Sequence, residues 1–228
     1  MSARVLRSKG RPSQTRGRNR SIFALDIPHD ATIESLLTEL VPALHAQLVA
    51  DGAPSDPYVV AVRVEGRGAW AVLIRGRAMT VTDGEPDRPT LWMHVTDSSV
   101  ERFLDDARGP RRLLPRAAPP GGLVSMSDPR IVKRVAMANG RIELAVRDVD
   151  GTRLAMVFGF GDAARRAIDP EDPDVVVEAD MATVERVLSG ALGPEEALAD
   201  GGVRIRGNRL LALQLALAVA PFYPARAR

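Results

Sequence analysis

The apolar positions fall first into a helical rhythm and then into strand alternation. Ile33, Leu36, Leu37, Leu40, Leu44 and Leu48 recur at helical spacing. Asp30 is the expected N-cap, with Glu34 in the first turn. Pro42 is expected to kink this helix, and Gly52 and Pro54 to end it. A hairpin pattern follows over 58–65 and 69–75 around Gly66-Arg67-Gly68, with Trp70, Val72 and Ile74 on one strand face. A third strand is expected over 90–95. Thr96 then caps a helix holding Val100, Phe103 and Leu104, and Pro129 opens another through Ile131, Val132, Val135 and Met137 that closes at Asn139-Gly140.

The same order then returns. Residues 142–149 and 152–160 read as a hairpin around Asp150-Gly151, with Leu154, Met156, Phe158 and Phe160 sharing a face. Val175-Val176-Val177 is apolar on both sides and reads as an interior strand. Asp180 caps a helix over 181–188, and Gly190, Gly193 and Pro194 make a turn into one helical turn at 195–199. A strand over 203–206 points Val203 and Ile205 the same way, and a last helix runs over 208–219. That helix carries leucine nearly all round, which predicts burial on several sides.

The recurrence is also literal. A shift of 84 residues lays Ala61-Val62-Arg63 on Ala145-Val146-Arg147, Ala71 on Ala155, Pro86 on Pro170 and Pro89 on Pro173. It also lays Val100-Glu101-Arg102 on Val184-Glu185-Arg186, Leu104 on Leu188, Ala107 on Ala191 and Gly109-Pro110 on Gly193-Pro194. These are 13 identities over 61–110, where roughly 3 or 4 are expected by chance. With the shift reset to 80, Gly121-Gly122 falls on Gly201-Gly202. The second copy has no leading helix of its own. The helix at 129–139 is expected to serve both, so that the copies pack as one tandem body.

Composition narrows the chemistry. Nearly half of the 228 residues are apolar but only nine are aromatic, so the core is aliphatic. Cysteine is absent, which excludes disulfides and thiolate metal sites and fits a reducing, cytoplasmic setting. The 29 Arg against 2 Lys look like the bias of a GC-rich bacterial genome. Residues 1–20 hold seven basic groups and no acidic one, leaving 24 basic against 29 acidic groups in the rest. Residues 1–21 are therefore expected to be a disordered basic tail. A solvated arm, an arm on an anionic partner, nucleic acid or lipid, and a transit peptide all remain open for it. The N-terminus lacks the apolar stretch of a signal peptide, and no segment reaches the roughly 20 apolar residues of a membrane span.

The stretch from Asp174 to Phe222 resembles the C-terminal half of the sterol carrier protein type 2 family. Its parts are the strand at Val175 to Glu178, the cap Asp180, the helix ending at Gly190, the short helix of 195–200, the strand turning at Gly207-Asn208, and the apolar last helix. Counted from Ile142, the resemblance covers about 80 residues. The first copy departs from it: Asp106 stands for Gly190, Ser127 for Gly207, and Leu123 to Met126 make a weaker strand. The expected fold is α/β (α+β), with two tandem sterol-carrier-like units at 22–139 (degenerate) and 140–224. Each is a mainly antiparallel or mixed sheet covered by helices, and 225–228 form a short tail.

The resemblance implies non-catalytic binding of a lipid, sterol or acyl chain in an apolar tunnel, with no cofactor. The expected lining in the second unit is Leu154, Met156, Phe158, Phe160, Val177, Val184, Leu188, Leu210, Leu213, Leu217 and Phe222. Trp70 and Trp92 would fill the matching space in the first. The alternative is a scaffold of the same fold with a filled core, its basic arm docking to an acidic partner or nucleic acid. His29, His45 and His94 fit no metal spacing and read as surface or edge residues. Gly159-Phe160-Gly161 outlines a dinucleotide fingerprint, but Pro170 and Pro173 leave no room for the crossover helix. The acidic, Pro-interrupted run 169–174 reads as a solvated loop rather than a Ca²⁺ loop.

Overall fold

The computed structural model describes residues 28, 30–48, 56–108, 129–165, 172–188 and 191–219. The basic tail, the stretch 109–128 with the weaker strand at 123–126, and Phe222 lie outside them, as does the side chain of Leu188.

Two hairpins organise the chain. Strands β1 (Tyr58–Val64) and β2 (Gly68–Arg75) pair antiparallel with Ala61 opposite Ala71, and β5 (Gly140–Arg147) and β6 (Arg153–Phe160) pair with Ala145 opposite Ala155. These are the positions related by the shift of 84, so the two hairpins share one register. Each hairpin then gains a parallel partner. Strand β4 (Leu91–Val95) lies beside β1, and β7 (Val175–Asp180) lies beside β5. Here the registers differ by two residues: Val60 faces Leu91, whereas Ile142 faces Val175. A slip of two keeps every side chain on its face.

The halves join edge to edge, with β4 antiparallel to β6 and Val95 opposite Met156. Strands β3 (Ala78–Asp83) and β8 (Val203–Gly207) complete one mixed sheet of order β3-β2-β1-β4-β6-β5-β7-β8. Strand β3 was not among the expected elements. Only Met79 and Val81 point to the core, and the alternating Thr80 and Thr82 gave too weak a signal for a short edge strand. The fold is mixed α+β.

The main apolar alternation of the strands points to one face of the sheet, and the helices described pack there. At the first half, Ile33–Ser35 (α1), a π-helical stretch Leu36–Leu40 and Val41–Leu48 (α2) lie over β3. The N-cap is Thr32, not the expected Asp30, because Thr32 and Ser35 cap each other reciprocally. With α3 (Asp97–Arg108) they close a core of Leu36, Leu37, Tyr58, Val62, Val64, Trp70, Val72, Ile74, Val100 and Leu104. Helix α4 (Pro129–Met137) gives Val132 to this core and Val135 to that of the second half. It therefore touches both cores.

Three helices complete the second half: α5 (Met181–Leu188), α6 (Pro194–Ala199) and α7 (Arg209–Val219). Asp180 caps α5 as expected, and Asn208, expected as the turn into the last helix, caps α7. Thr183 donates its N–H to Asp180 Oδ1 at 2.7 Å, and Leu211 donates its N–H to Asn208 Oδ1 at 3.1 Å. Where the fingerprint-like Gly159-Phe160-Gly161 ends, the chain makes only a 3₁₀ turn, Gly161–Arg165.

Helix α3 also ties the halves together. Ser99 Oγ accepts from the Ala155 N–H at 2.8 Å and donates to the Ala155 carbonyl at 3.1 Å, extending the β4–β6 junction. One turn on, Arg102 Nε stands 2.7 Å from Asp148 Oδ2, a carboxylate only 2% exposed.

Three sequence expectations are corrected here. Trp92 is buried on the opposite face of the sheet from Trp70, because it pairs with Ala61 and Gly159, and it forms its own small cluster with Ala61 and Val157. It does not fill the space beneath the helices. His45 is buried, with Nε2 2.8 Å from the Gly76 carbonyl oxygen, because α2 packs over the β2–β3 turn. The His94 ring lies 5.6 Å from that of Trp92, tilted to it, and its Nδ1 is buried without a hydrogen-bond partner among the described residues. Burial, with Arg63 nearby, holds His94 below the usual imidazole pKa.

Candidate functional site

The second half presents its apolar face as rungs set by strand register. One rung is Phe158, Ile142, Val175 and Gly207; the next is Met156, Leu144, Val177 and Ile205; the third is Leu154, Val146, Ala179 and Val203. Helices α4 and α7 cover the first. Val175 is fully buried there with Phe160, Leu211, Leu215 and Ala138. Two glycines allow this approach. A Cβ at Gly140 would collide with a Leu211 methyl, and one at Gly207, where φ is +90°, would collide with the Asp174 carbonyl.

The middle rung is not closed in the same way. Leu144 is 39% exposed, and Met156, Val177 and Ile205 are half-buried. In the third rung Leu154 is buried, while Val146, Ala179 and Val203 are half-buried. The result is an apolar floor four strands wide, about 14 Å across at the usual strand spacing. It is bounded at one end by α7 and lies on the strands against which α5 packs.

Of the expected lining residues, Met156 and Val177 stand on this open rung. Leu154 lies beside it, and Phe158 and Phe160 stack at 6.4 Å on the helix-covered side. Val184 is half-buried on α5. The last helix departs from its expected all-round burial. Leu211, Leu215 and Ala218 are buried, whereas Leu210, Leu213 and Leu217 are 65%, 54% and 63% exposed on its other side. A straight helix lays only one stripe on a sheet, and among the described residues nothing buries the second.

Sequence reasoning passed over Leu144, Val146 and Ile205 as wall residues. Their alternation was visible, but the register that aligns them with Met156 and Val177 is a tertiary fact.

The charged side chains of these strands follow the opposite parity. Arg141, Arg147, Arg153, Arg204 and Arg206 alternate with the apolar rungs and so occupy the other face. There Arg147 and Arg206 share Glu178, and Arg153 pairs with Glu143. A separate open depression of about 570 Å³ lies at the β1–β2 turn. It is lined by Arg63, Glu65, Arg67, Glu85 and His94, with Arg63 paired to Glu85. Among the described residues no group of acidic or His side chains is placed to hold a metal, and no helix is long and apolar enough to cross a membrane.

Residues 124–219 match the SCP-2 sterol transfer family. Among curated proteins none matches the chain. Solved structures align with part of it. The apo sterol carrier protein 2 of Yarrowia lipolytica aligns at 14% identity and TM-score 0.29, over 36% of this chain and 74% of that one. The sterol carrier protein 2-like 2 of Aedes aegypti aligns at 18% identity and TM-score 0.28, over 41% and 97%. The sterol carrier protein domain 2 of Helicoverpa armigera aligns at 22% and 0.33, over 43% and 77%. The family match starts ahead of α4, so it takes in the helix that touches both cores. Residues 124–219 thus form an SCP-2 sterol transfer family domain, ending with α7.

Proposed function

We propose that the second half of this protein binds a lipid or other hydrophobic small molecule by apolar contact, without catalysis. The observation that carries this reading is the open rung Met156, Leu144, Val177 and Ile205, set within the segment that matches the sterol transfer family. Soluble domains bury such surface or use it, and floors of convergent aliphatic and Met side chains suit ligands held by shape.

In this reading the chain is two fused units of one kind, at 22–139 and 140–224. The shared hairpin register and the helix common to both cores support it. The first unit is the degenerate one, its interior filled by Trp70 and roofed by 33–48. The ligand lies in a tunnel of the second unit, between the sheet and its helices, and the protein works in the cytoplasm.

The test is native mass spectrometry with organic extraction on the full chain from its own host. A lipid at near one per chain is expected, lost in Met156→Trp, which fills the floor. A chain that carries no adduct and takes up neither a fluorescent sterol nor a fluorescent acyl ester overturns the reading. The scaffold alternative would then lead. The leucine stripe Leu210, Leu213 and Leu217, exposed as a partner surface would be, favours it. In that version the basic N-terminal arm docks to an acidic partner or nucleic acid.

A further inference from the structure

Helix α7 has two leucine sides. Leu211, Leu215 and Ala218 are buried, while Leu210, Leu213 and Leu217 are 65%, 54% and 63% exposed on the side away from the sheet. The exposed three are spaced three and then four residues apart, the rhythm of a helix-pairing seam. Arg209 opens the helix, and no charged residue follows through Val219. The elements that pack most closely against α7 are α4, β7 and β8. Strands β7 and β8 carry Glu178, Arg204 and Arg206 on the other face of the sheet by strand parity. Helix α4 carries two exposed cations, Lys133, which pairs with Asp56, and Arg134. Apolar exposure continues on α4 at Met137, which is 84% exposed. Its chain neighbour Ala138 shares a core cluster with Leu211 and Leu215.

The three leucines and Met137 leave about 500 Å² of apolar surface on each chain, the upper range for the largest patch of a soluble monomer. Two copies joined there bury about 1,000 Å², the size at which a specific interface becomes stable. A partner that brought charges to this seam would lose their water against leucine, with no charge on the seam to answer them. The surface that matches an uncharged leucine seam is the seam itself. We propose that α7 pairs antiparallel with α7 of a second copy of this chain about a twofold axis, the commonest symmetry of soluble oligomers. In that pairing Leu210 meets Leu217 of the other copy, and Leu213 lies near the axis opposite its own counterpart. Each Arg209 then stands by the C-terminal turn of the other helix, where the macrodipole favours a cation. A parallel pair would set the two Arg209 side chains together instead. The seam lies on the side of α7 away from the sheet, so the proposal does not rest on lipid binding at the rung of Met156 and Leu144.

The experiment is sedimentation velocity of the full chain at about 1 to 100 µM, the range in which an interface of this size associates. A mass of twice 24.6 kDa is expected at the upper end. Leu213→Glu and Leu213→Lys alter a position exposed enough to accept a charge. Each is expected to weaken association at least about tenfold and to sediment as a monomer, because like charges meet at the axis. Mixed in equal amounts, the two variants are expected to regain the dimer. A parent chain that stays monomeric throughout overturns the proposal. Its co-sedimentation with neutral phosphatidylcholine vesicles, abolished by Leu213→Glu, would then assign the seam to a lipid surface. A dimer that persists in both variants also overturns the proposal, since it must use another surface. A mixture that stays monomeric overturns the twofold pairing. If either variant loses its helical circular dichroism, Leu210→Glu mixed with Leu217→Lys repeats the test at the positions expected to meet.

Discussion

The two halves of the sheet share a hairpin register yet treat the same face differently. In the first, Trp70 stands at the position of Leu154, and the helical run 33–48 lies over the edge, so that Tyr58, Val62, Val64 and Trp70 are all buried. In the second, α7 seals one end of the strands and the middle rung stays partly open at Leu144. The contrast shows that one strand pattern makes either a closed core or an accessible floor. What decides is the size of one side chain and the number of helices laid across it. Helix α4 cannot roof both halves fully, because its length is divided between them.

The sharpest break of this comparison comes from removing the filler. Trp70→Ala is expected to cost about 3–5 kcal/mol in chemical denaturation, as a large buried aromatic does. Gly207→Ala follows at about 2–4 kcal/mol, because it combines a left-handed backbone with a clash against the Asp174 carbonyl. It strikes the second half, so loss of the apolar floor should accompany it. A Gly207→Ala protein as stable as the parent would contradict the close packing of β7 on β8.

The joint between halves is next. Arg102→Ala leaves the Asp148 carboxylate buried with, among the described residues, the Val149 N–H donating to it. The expected loss is about 1–3 kcal/mol, less than for a fully buried pair because Arg102 is itself 37% exposed. A double-mutant cycle with Asp148→Asn measures the coupling, which should vanish if α3 does not bind the second hairpin.

A pH series probes the closed half alone. Burial pushes the Tyr58 hydroxyl up to about 12. The unfolded chain, with its tyrosines at the ordinary value, gives up this proton first. The stabilising contribution is therefore complete below about pH 10 and falls by roughly 1.4 kcal/mol per pH unit from there toward 12. Denaturant midpoints between pH 9 and 11.5 should show the slope, and Tyr58→Phe should flatten it. The smallest effect is expected at the floor. Leu144→Ala should cost less than about 1 kcal/mol, since the side chain already meets solvent. A cost equal to that of a core leucine would mean that the rung is closed in solution.

The alternation of apolar residues was enough to mark both hairpins, β4, β7 and β8, and the polar residues at Asp180 and Asn208 marked two helix starts. Strand β3 escaped because Met79 and Val81 are too few to set a period, and because pairing with β2, rather than its own composition, holds it. Trp92 was assigned to the wrong face because nothing local fixes the phase of a five-residue strand against its neighbours. Of the lining residues, Met156 and Val177 were legible as members of an apolar face. That Leu144 and Ile205 complete their rung was not.

The sequence by itself determined the local elements, the repetition of a hairpin, and which side chains alternate together, since each depends on neighbours within a few positions. The tertiary structure decided three further things: that β4 joins β6 into one sheet, which stripe of an all-leucine helix is buried, and how far that helix reaches. These depend on where two surfaces can approach. For α7 the answer lies in the missing side chain of Gly140, which lets Leu211 descend onto the strand and leaves Leu210, Leu213 and Leu217 facing outward.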